Sequence, residues 1–325
     1  MTQMNMVEAI NSALKAEMEK DESVLILGED VGKDGGVFRV TDGLIQKFGE
    51  ERVIDSPLAE SGIVGFAIGL ALYGFKPIAE IQFMGFLWPC LDQLSSHASR
   101  IRNRTWGRYS VPLVLRAPYG GGVRALEHHA ESFESILAHI PGLKVAIPSN
   151  PYDAKGLLIA SIRDPDPVVF LEPKRLYRGI KEEVPEEDYV EEIGKAKVVV
   201  EGEDLTLVGW GSMIPKILKA RDLMFEKGIR AEVIDIRSIS PYDYATVHSS
   251  VEKTGRAVVI QEAPRTLGFA SEIIARLNDN EMLNLKAPAF RVTGFDIPFP
   301  YYKMEHWAMP DVDRIIKASR QVLKW

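Results

Sequence analysis

The chain has 325 residues, 46% of them hydrophobic and 26% charged, with a net charge of −7. That length can hold two domains with cores of their own, in a composition ordinary for a globular protein. The acidic balance argues against nucleic acid or an anionic membrane as the main partner, since both reward Lys- and Arg-rich faces. Cys90 is the only cysteine, so an intramolecular disulfide and a thiolate-rich zinc or iron–sulfur centre are excluded within one chain.

The elements follow in chain order. An amphipathic helix places Val7, Ile10, Leu14 and Met18 on one face. Val24 to Leu27 is a short apolar strand ending in Gly28-Glu29-Asp30, and Val53 to Asp55 is another, followed by a helix over 61–73. Pro77 to Ile81 reads as a strand, and a helix is predicted over 86–101. Cys90 falls inside the apolar run Phe86 to Leu91 and reads as a buried, inert thiol. The strand Val111 to Leu115 leads into Gly120-Gly121-Gly122, and Lys144 to Ile147 precedes a helix over 152–163, with Val168 to Leu171 closing the series. Apolar runs alternating with helices indicate a parallel sheet covered on both faces. Residues 181–200 begin with a Glu-, Asp-, Lys- and Pro-rich stretch of little apolar periodicity and read as a linker. A second α/β unit over 201–325 has strands at 205–208, 231–236, 257–260 and 289–292, with helices near 214–226, 269–278 and 311–323. The fold class is therefore α/β, with two open and mostly parallel domains, the first over 1–180.

No run approaches the ~20 apolar residues of a membrane-spanning helix, and no basic-then-apolar leader opens the chain. There is no P-loop and no dinucleotide fingerprint: Gly62, Gly65 and Gly69 lie within the helix and lack the tight Gly-x-Gly turn. Those glycines line one helix face and suit close approach of another helix. Glu60, between a strand end and that helix, sits where open α/β sheets bind ligands, although a helix-start acid serving the dipole fits equally. Glu29 and Asp30 also follow a strand and could equally be plain loop acids. His128 and His129 follow the glycine run, where a neutral imidazole could exchange protons near neutral pH; an exposed loop histidine is the bland alternative.

Several stretches together resemble one family. They are Pro57 to Ile63, Glu80-Ile81-Gln82-Phe83, Ile101 to Arg104, Pro118 to Gly122 with His129 downstream, Pro151 to Leu158, Glu172 to Arg178 and Val251 to Arg256. In this order they are similar to the β subunit of the thiamine-diphosphate-dependent decarboxylase component of 2-oxo acid dehydrogenase complexes. The resemblance implies a transketolase-like pyrimidine-binding domain followed by a transketolase C-terminal-like domain, in an α2β2 heterotetramer. The α subunit would hold the diphosphate through Mg²⁺ and the β subunit the aminopyrimidine; the α-chain metal motif is absent here, and 32–36 is only a distant approach to it. Glu60 would bond the pyrimidine ring nitrogen and favour the imino tautomer that removes the thiazolium proton. Leu58, Gln82 and Phe86 would line the pyrimidine pocket, with Glu29 beside it, and His129 would assist substrate and acyl transfer. Ser161, Asp164 and Asp166 lie in the loop where the family often carries a structural potassium ion.

The second domain would associate subunits and dock the dihydrolipoyl acyltransferase core. The compartment implied is a reducing one, the cytoplasm of a prokaryote or the mitochondrial matrix of a processed eukaryotic chain. Glu172-Pro173-Lys174, Glu262-Ala263-Pro264 with Gly268 to Glu272, and Phe295 to Pro300 lean towards branched-chain 2-oxo acids as substrate. A pyruvate or acetoin dehydrogenase is the alternative within enzymes, and a non-catalytic α/β assembly subunit is the alternative outside them.

Overall fold

The structure, a computed structural model, describes residues 1–281, 285–300 and 302–324. A short strand β1 (Thr2–Asn5) runs into α1 (Met6–Lys20). The turn between them is a capping box: the Asn5 side chain accepts from the Glu8 amide at 3.0 Å, and the Glu8 carboxylate accepts from the Asn5 amide at 2.7 Å. Then come β2 (Val24–Gly28), α2 (Leu44–Phe48), β3 (Val53–Asp55), α3 (Glu60–Tyr73) and β4 (Lys76–Glu80).

The helix expected over 86–101 is instead broken into three pieces. A 3₁₀ stretch spans Met84–Cys90, a π-turn Gln93–Ala98, and a single α turn, α4, Ile101–Arg104. Pro89 lies inside the first piece and has no N–H to continue an α ladder. The first unit is completed by β5 (Val114–Tyr119), α5 (Glu134–Ala138), β6 (Lys144–Ala146), α6 (Pro151–Arg163) and β7 (Val168–Pro173).

The segment expected as a linker is structured at both ends. β8 (Lys181–Val184) pairs antiparallel with β1, and β9 (Lys197–Val200) pairs antiparallel with β11. In β8 the main-chain bonds compensate for a sequence with little to bury, whereas β9 also packs Val199 and Val200 against a core. The rest of the chain forms β10 (Leu205–Gly209), α7 (Ile214–Phe225), β11 (Ala231–Asp235), β12 (Ser238–Ser240), α8 (Tyr244–Thr254), β13 (Ala257–Ile260), α9 (Ala270–Glu281), β14 (Phe290–Val292), α10 (Glu305–Ala308) and α11 (Val312–Leu323).

Two main sheets result. The first has the order β12-β6-β7-β5-β4-β2-β3 and is parallel except for β12; the second has the order β14-β13-β10-β11-β9 and is parallel except for β9. One face of the first sheet is covered by α1 and α6, whose Ile10, Leu14, Leu157 and Leu158 share a core with Ile26 and Ile78. Its other face packs on α3 and 84–98. That core runs on without a break into the second unit, joining Ile63 and Leu87 to Trp210, Ile234 and Phe269. A third core, around Leu207, Ile217 and Ile315, covers the far side of the second sheet. β12 belongs by sequence to the second unit and by pairing to the first sheet, so the two units are locked together.

Candidate active site

The parallel strands β3, β2, β4, β5 and β7 end on one edge, and the loops beyond them carry the polar groups. Open α/β sheets bind ligands at this carboxyl edge. Glu29 follows β2. One of its oxygens, Oε1, is buried and has no hydrogen-bond partner. Burial raises its pKa above the ordinary carboxylate value, and the neighbouring charges of Glu60 and Asp30 add to the rise. Glu60 is the first residue of α3 and half-buried. Two carboxylates thus lie close enough to influence each other, and no cation among the described residues offsets the rise at Glu29. Such a pair is suited to a ligand that supplies a proton or hydrogen-bond donors.

Beyond β4, Gln82 donates to Asp30 at 2.9 Å. Phe83 contacts the His129 ring at 4.4 Å between centroids, Phe86 meets His129 at 5.1 Å, and Phe83 and Phe86 stand edge to face at 5.7 Å. His129 Nδ1 lies 2.8 Å from the Glu127 carbonyl. A carbonyl only accepts, so Nδ1 carries the hydrogen of this bond and Nε2 is the ring nitrogen left out of it. His128 is exposed with φ of 63°, and its carbonyl fills the space a side chain would need at Gly85. Of the two histidines, only His129 enters the aromatic group.

The structure therefore brings Glu29, Glu60, Gln82, Phe86 and His129 to one edge. Leu58, two residues before Glu60, is 78% exposed. The glycines of α3 do not act alike: a Cβ on Gly69 would enter open space, one on Gly62 would meet only Ala59 Cβ at 3.5 Å, and Gly65 faces Gln93 of the same chain. Phe66, Leu72 and Tyr73 on α3 are exposed as well. Ser161, Asp164 and Asp166 lie away from this edge, next to the start of β7. There Asp164 pairs with Lys144 at 2.5 Å and Asp166 with Arg102 at 2.5 Å, while the Ser161 hydroxyl donates to the Leu157 carbonyl. Both carboxylates have cationic partners, which offset the negative charge of this loop. Among the described residues, no group of three His, Cys, Asp or Glu could hold a metal ion. Cys90 is buried and its thiol is pushed up to about 12 by that burial, which leaves it inert.

Sequence reasoning missed three features. Phe83 is the ring between Phe86 and His129. Arg116 on β5 is fully buried, bonding Glu172 through Nε at 2.7 Å and Nη2 at 3.0 Å and Glu80 through Nη1 at 2.7 Å. This ion network lies beneath the site and braces β4, β5 and β7. A charged residue inside each of three apolar strands was the signal that could have revealed it. The third feature is the pair of carboxylates, Glu262 and Glu305, that the second unit brings to the amides of Gly121 and Gly122.

Comparison with known proteins gives the family and the fold. Residues 2–180 match the transketolase pyrimidine-binding domain and residues 194–315 the transketolase C-terminal domain. A pyruvate dehydrogenase E1 component subunit beta from Acholeplasma laidlawii is 53% identical over 99% of this chain and 98% of its own. Its counterpart from Bacillus subtilis (strain 168) is 51% identical over the whole of both chains. A solved structure described as a split gene transketolase, inactive beta4 tetramer, shares the fold, with a TM-score of 0.81 at 22% identity over 99% of this chain and 98% of that one. No helix among the described residues is long and apolar enough to cross a membrane. The chain belongs to the E1 β-subunit family of the thiamine-diphosphate-dependent 2-oxo acid dehydrogenases, built on the transketolase fold.

Proposed function

We propose that this chain is the pyrimidine-binding half of a pyruvate-decarboxylating E1 enzyme that works as an α2β2 heterotetramer. The observation that carries the reading is the uncompensated Glu29–Glu60 pair at the carboxyl edge of the sheet, flanked by Phe83, Phe86 and His129. An aminopyrimidine offers that pair a ring nitrogen to share a proton with and an exocyclic amine to donate, and the rings offer it apolar faces. When bound, thiamine diphosphate supplies the electron sink for loss of carbon dioxide from a 2-oxo acid. Glu60 holds the shared proton at the pyrimidine. Glu29, kept closer to neutral by burial, limits the negative charge beside Glu60. His129 presents Nε2 to the substrate side and serves acyl transfer to the lipoamide of an acyltransferase core.

The diphosphate and its Mg²⁺ are assigned to the α subunit. Residues 1–180 form the pyrimidine half-site, and residues beyond 200 serve subunit association and acyltransferase docking. The open face of α3, with Gly62, Phe66, Gly69 and Leu72, suits close contact with a partner subunit. Pyruvate replaces the branched-chain substrate favoured by the sequence motifs, because full-length relatives at 53%, 51% and 50% identity carry the pyruvate dehydrogenase name. Discrimination by a few methylenes is worth only ~1–3 kcal/mol each, and short motifs outside the pocket do not report it.

The test is calorimetry with thiamine diphosphate and Mg²⁺ on the purified chain and on the chain with its α partner, followed by rates with pyruvate and 2-oxoisovalerate. Tight binding and turnover by the isolated chain would overturn the half-site reading. Faster turnover of 2-oxoisovalerate would overturn the substrate.

A further inference from the structure

The triple glycine after β5 suggests an anion site for a ligand, but the chain fills that site itself. Gly121 N donates to the Glu262 carboxylate and Gly122 N to the Glu305 carboxylate. Ser212 Oγ also donates to Glu262, and Lys174 Nζ donates to the Gly120 carbonyl. Glu262 is 6% exposed, Glu305 5% and Lys174 3%. Gly120 and Gly122 have φ of +78° and +97°, and a Cβ on Gly120 would lie 2.8 Å from Glu262 Oε1. The glycines thus admit two carboxylates from the second unit: Glu262 lies just beyond β13, and Glu305 starts α10.

Gly120 N donates to the Glu131 carbonyl at 2.9 Å, so residues 120–131 form a loop closed at its base. His129 rides on that loop, held at the far side by the His128 carbonyl against Gly85 and by the Phe83 and Phe86 rings. Lys174 ties the two regions, because its ammonium also lies 5.8 Å from the Phe83 ring centroid. Burial pulls Lys174 down to about 8, against the opposing charges of Glu262, Glu305 and Glu131.

We propose that Glu262 is a positioning residue for His129, so that the C-terminal domain sets the geometry of the active-site loop through the Gly121 N–H. The inference rests on the E1 reading above and deepens it. Replacing the carboxylate by an amide weakens the bond from Gly121 at the loop's base and leaves a buried N–H poorly paired. The loop then no longer returns His129 to one position, and a displacement of about 1 Å at a reacting group can cost roughly 100-fold in rate.

The test uses the assembled α and β enzyme. Glu262→Gln is expected to slow acyl transfer to lipoamide roughly 10- to 100-fold, with thiamine diphosphate affinity and decarboxylation to an artificial electron acceptor held near wild type. In a His129→Ala background the same substitution is expected to add nothing further, because it acts through His129. Hydrogen exchange of residues 119–133 in the same complex is expected to speed up at Gly121. Should Glu262→Gln fail to fold, Ser212→Ala, which removes the hydroxyl donor to Glu262, is expected to give the same pattern more weakly. Effects that simply add to those of His129→Ala, or unchanged exchange at Gly121, would overturn the proposal. A wild-type complex that neither binds the cofactor nor turns over would instead overturn the E1 reading, and the exchange measurement would still judge the clamp.

Discussion

Replacing Arg116 by Met tests the ion network beneath the site. Arg116 makes three bonds, two to Glu172 and one to Glu80, and the Tyr177 hydroxyl donates to Glu172 at 2.5 Å. Arg116 and Glu172 have no exposed side-chain surface, and Glu80 has 5%. Methionine would fill much of the volume but leave two buried carboxylates facing each other. Breaking a buried pair by removing one partner costs about 3–5 kcal/mol, a large part of a typical domain's stability. The loss should depend on pH. Burial already raises the Glu80 pKa, with Glu172 adding to the rise, and Arg116 is what opposes them. In the variant Glu80 rises further. A raised carboxyl contributes stability fully below its unfolded pKa and loses it as pH rises through the folded value. Urea unfolding of the α and β complex at pH 5.5 and 7.5 is therefore expected to show a smaller deficit at the lower pH. Adding Glu80→Gln and Glu172→Gln to Arg116→Met should recover part of the loss, since neutral groups tolerate burial better. A deficit below about 1 kcal/mol, independent of pH, would refute the network's structural role.

Glu60→Gln is expected to preserve assembly but strongly slow exchange of the thiazolium proton of bound cofactor, read by NMR; unchanged exchange would remove Glu60 from the site. His129→Ala should impair acyl transfer more than cofactor binding, and His128→Ala should be milder because His128 is exposed and offers chiefly its carbonyl; the reverse order would exchange their roles. Glu134 is buried between the units, accepts from Trp210 Nε1 at 3.2 Å, and is pushed up to about 7 chiefly by burial. Its stabilising contribution is complete below pH ~4.5 and is lost as pH rises through about 7, a swing of about 3 kcal/mol. Glu134→Gln should therefore flatten the pH dependence of unfolding across that window; an unchanged profile would show that Glu134 does not titrate there.

Most strands and long helices were legible because apolar runs of β-branched residues alternate with helical periodicity, and burial on both sheet faces leaves that pattern in the sequence. Three kinds of element were not. β8 is held by main-chain pairing to the distant β1, which needs no hydrophobic signature, and β9 is a three-valine run too short to stand out beside the acidic stretch before it. β12 joins a sheet whose other strands lie far from it in the chain, so only folding reveals its register. The region 84–104 has helical composition, but Pro89 and the turns around it interrupt the ladder.

The site divides in the same way. The sequence by itself determined which residues could do the chemistry: Glu60 at the start of a helix, Glu29 after a strand, and a histidine after a glycine run. It also determined the family, because motifs over the whole chain recur in order. Only the tertiary structure decided which groups meet. It set His129 rather than His128 against Phe83 and Phe86, left Leu58 in solvent, paired Asp164 and Asp166 with Lys144 and Arg102, and aimed Glu262 and Glu305 at the glycine loop. The physical reason is that local periodicity reports what a residue must bury, whereas its hydrogen-bond and ion partners lie across loops whose closure is set by the packing of two sheets.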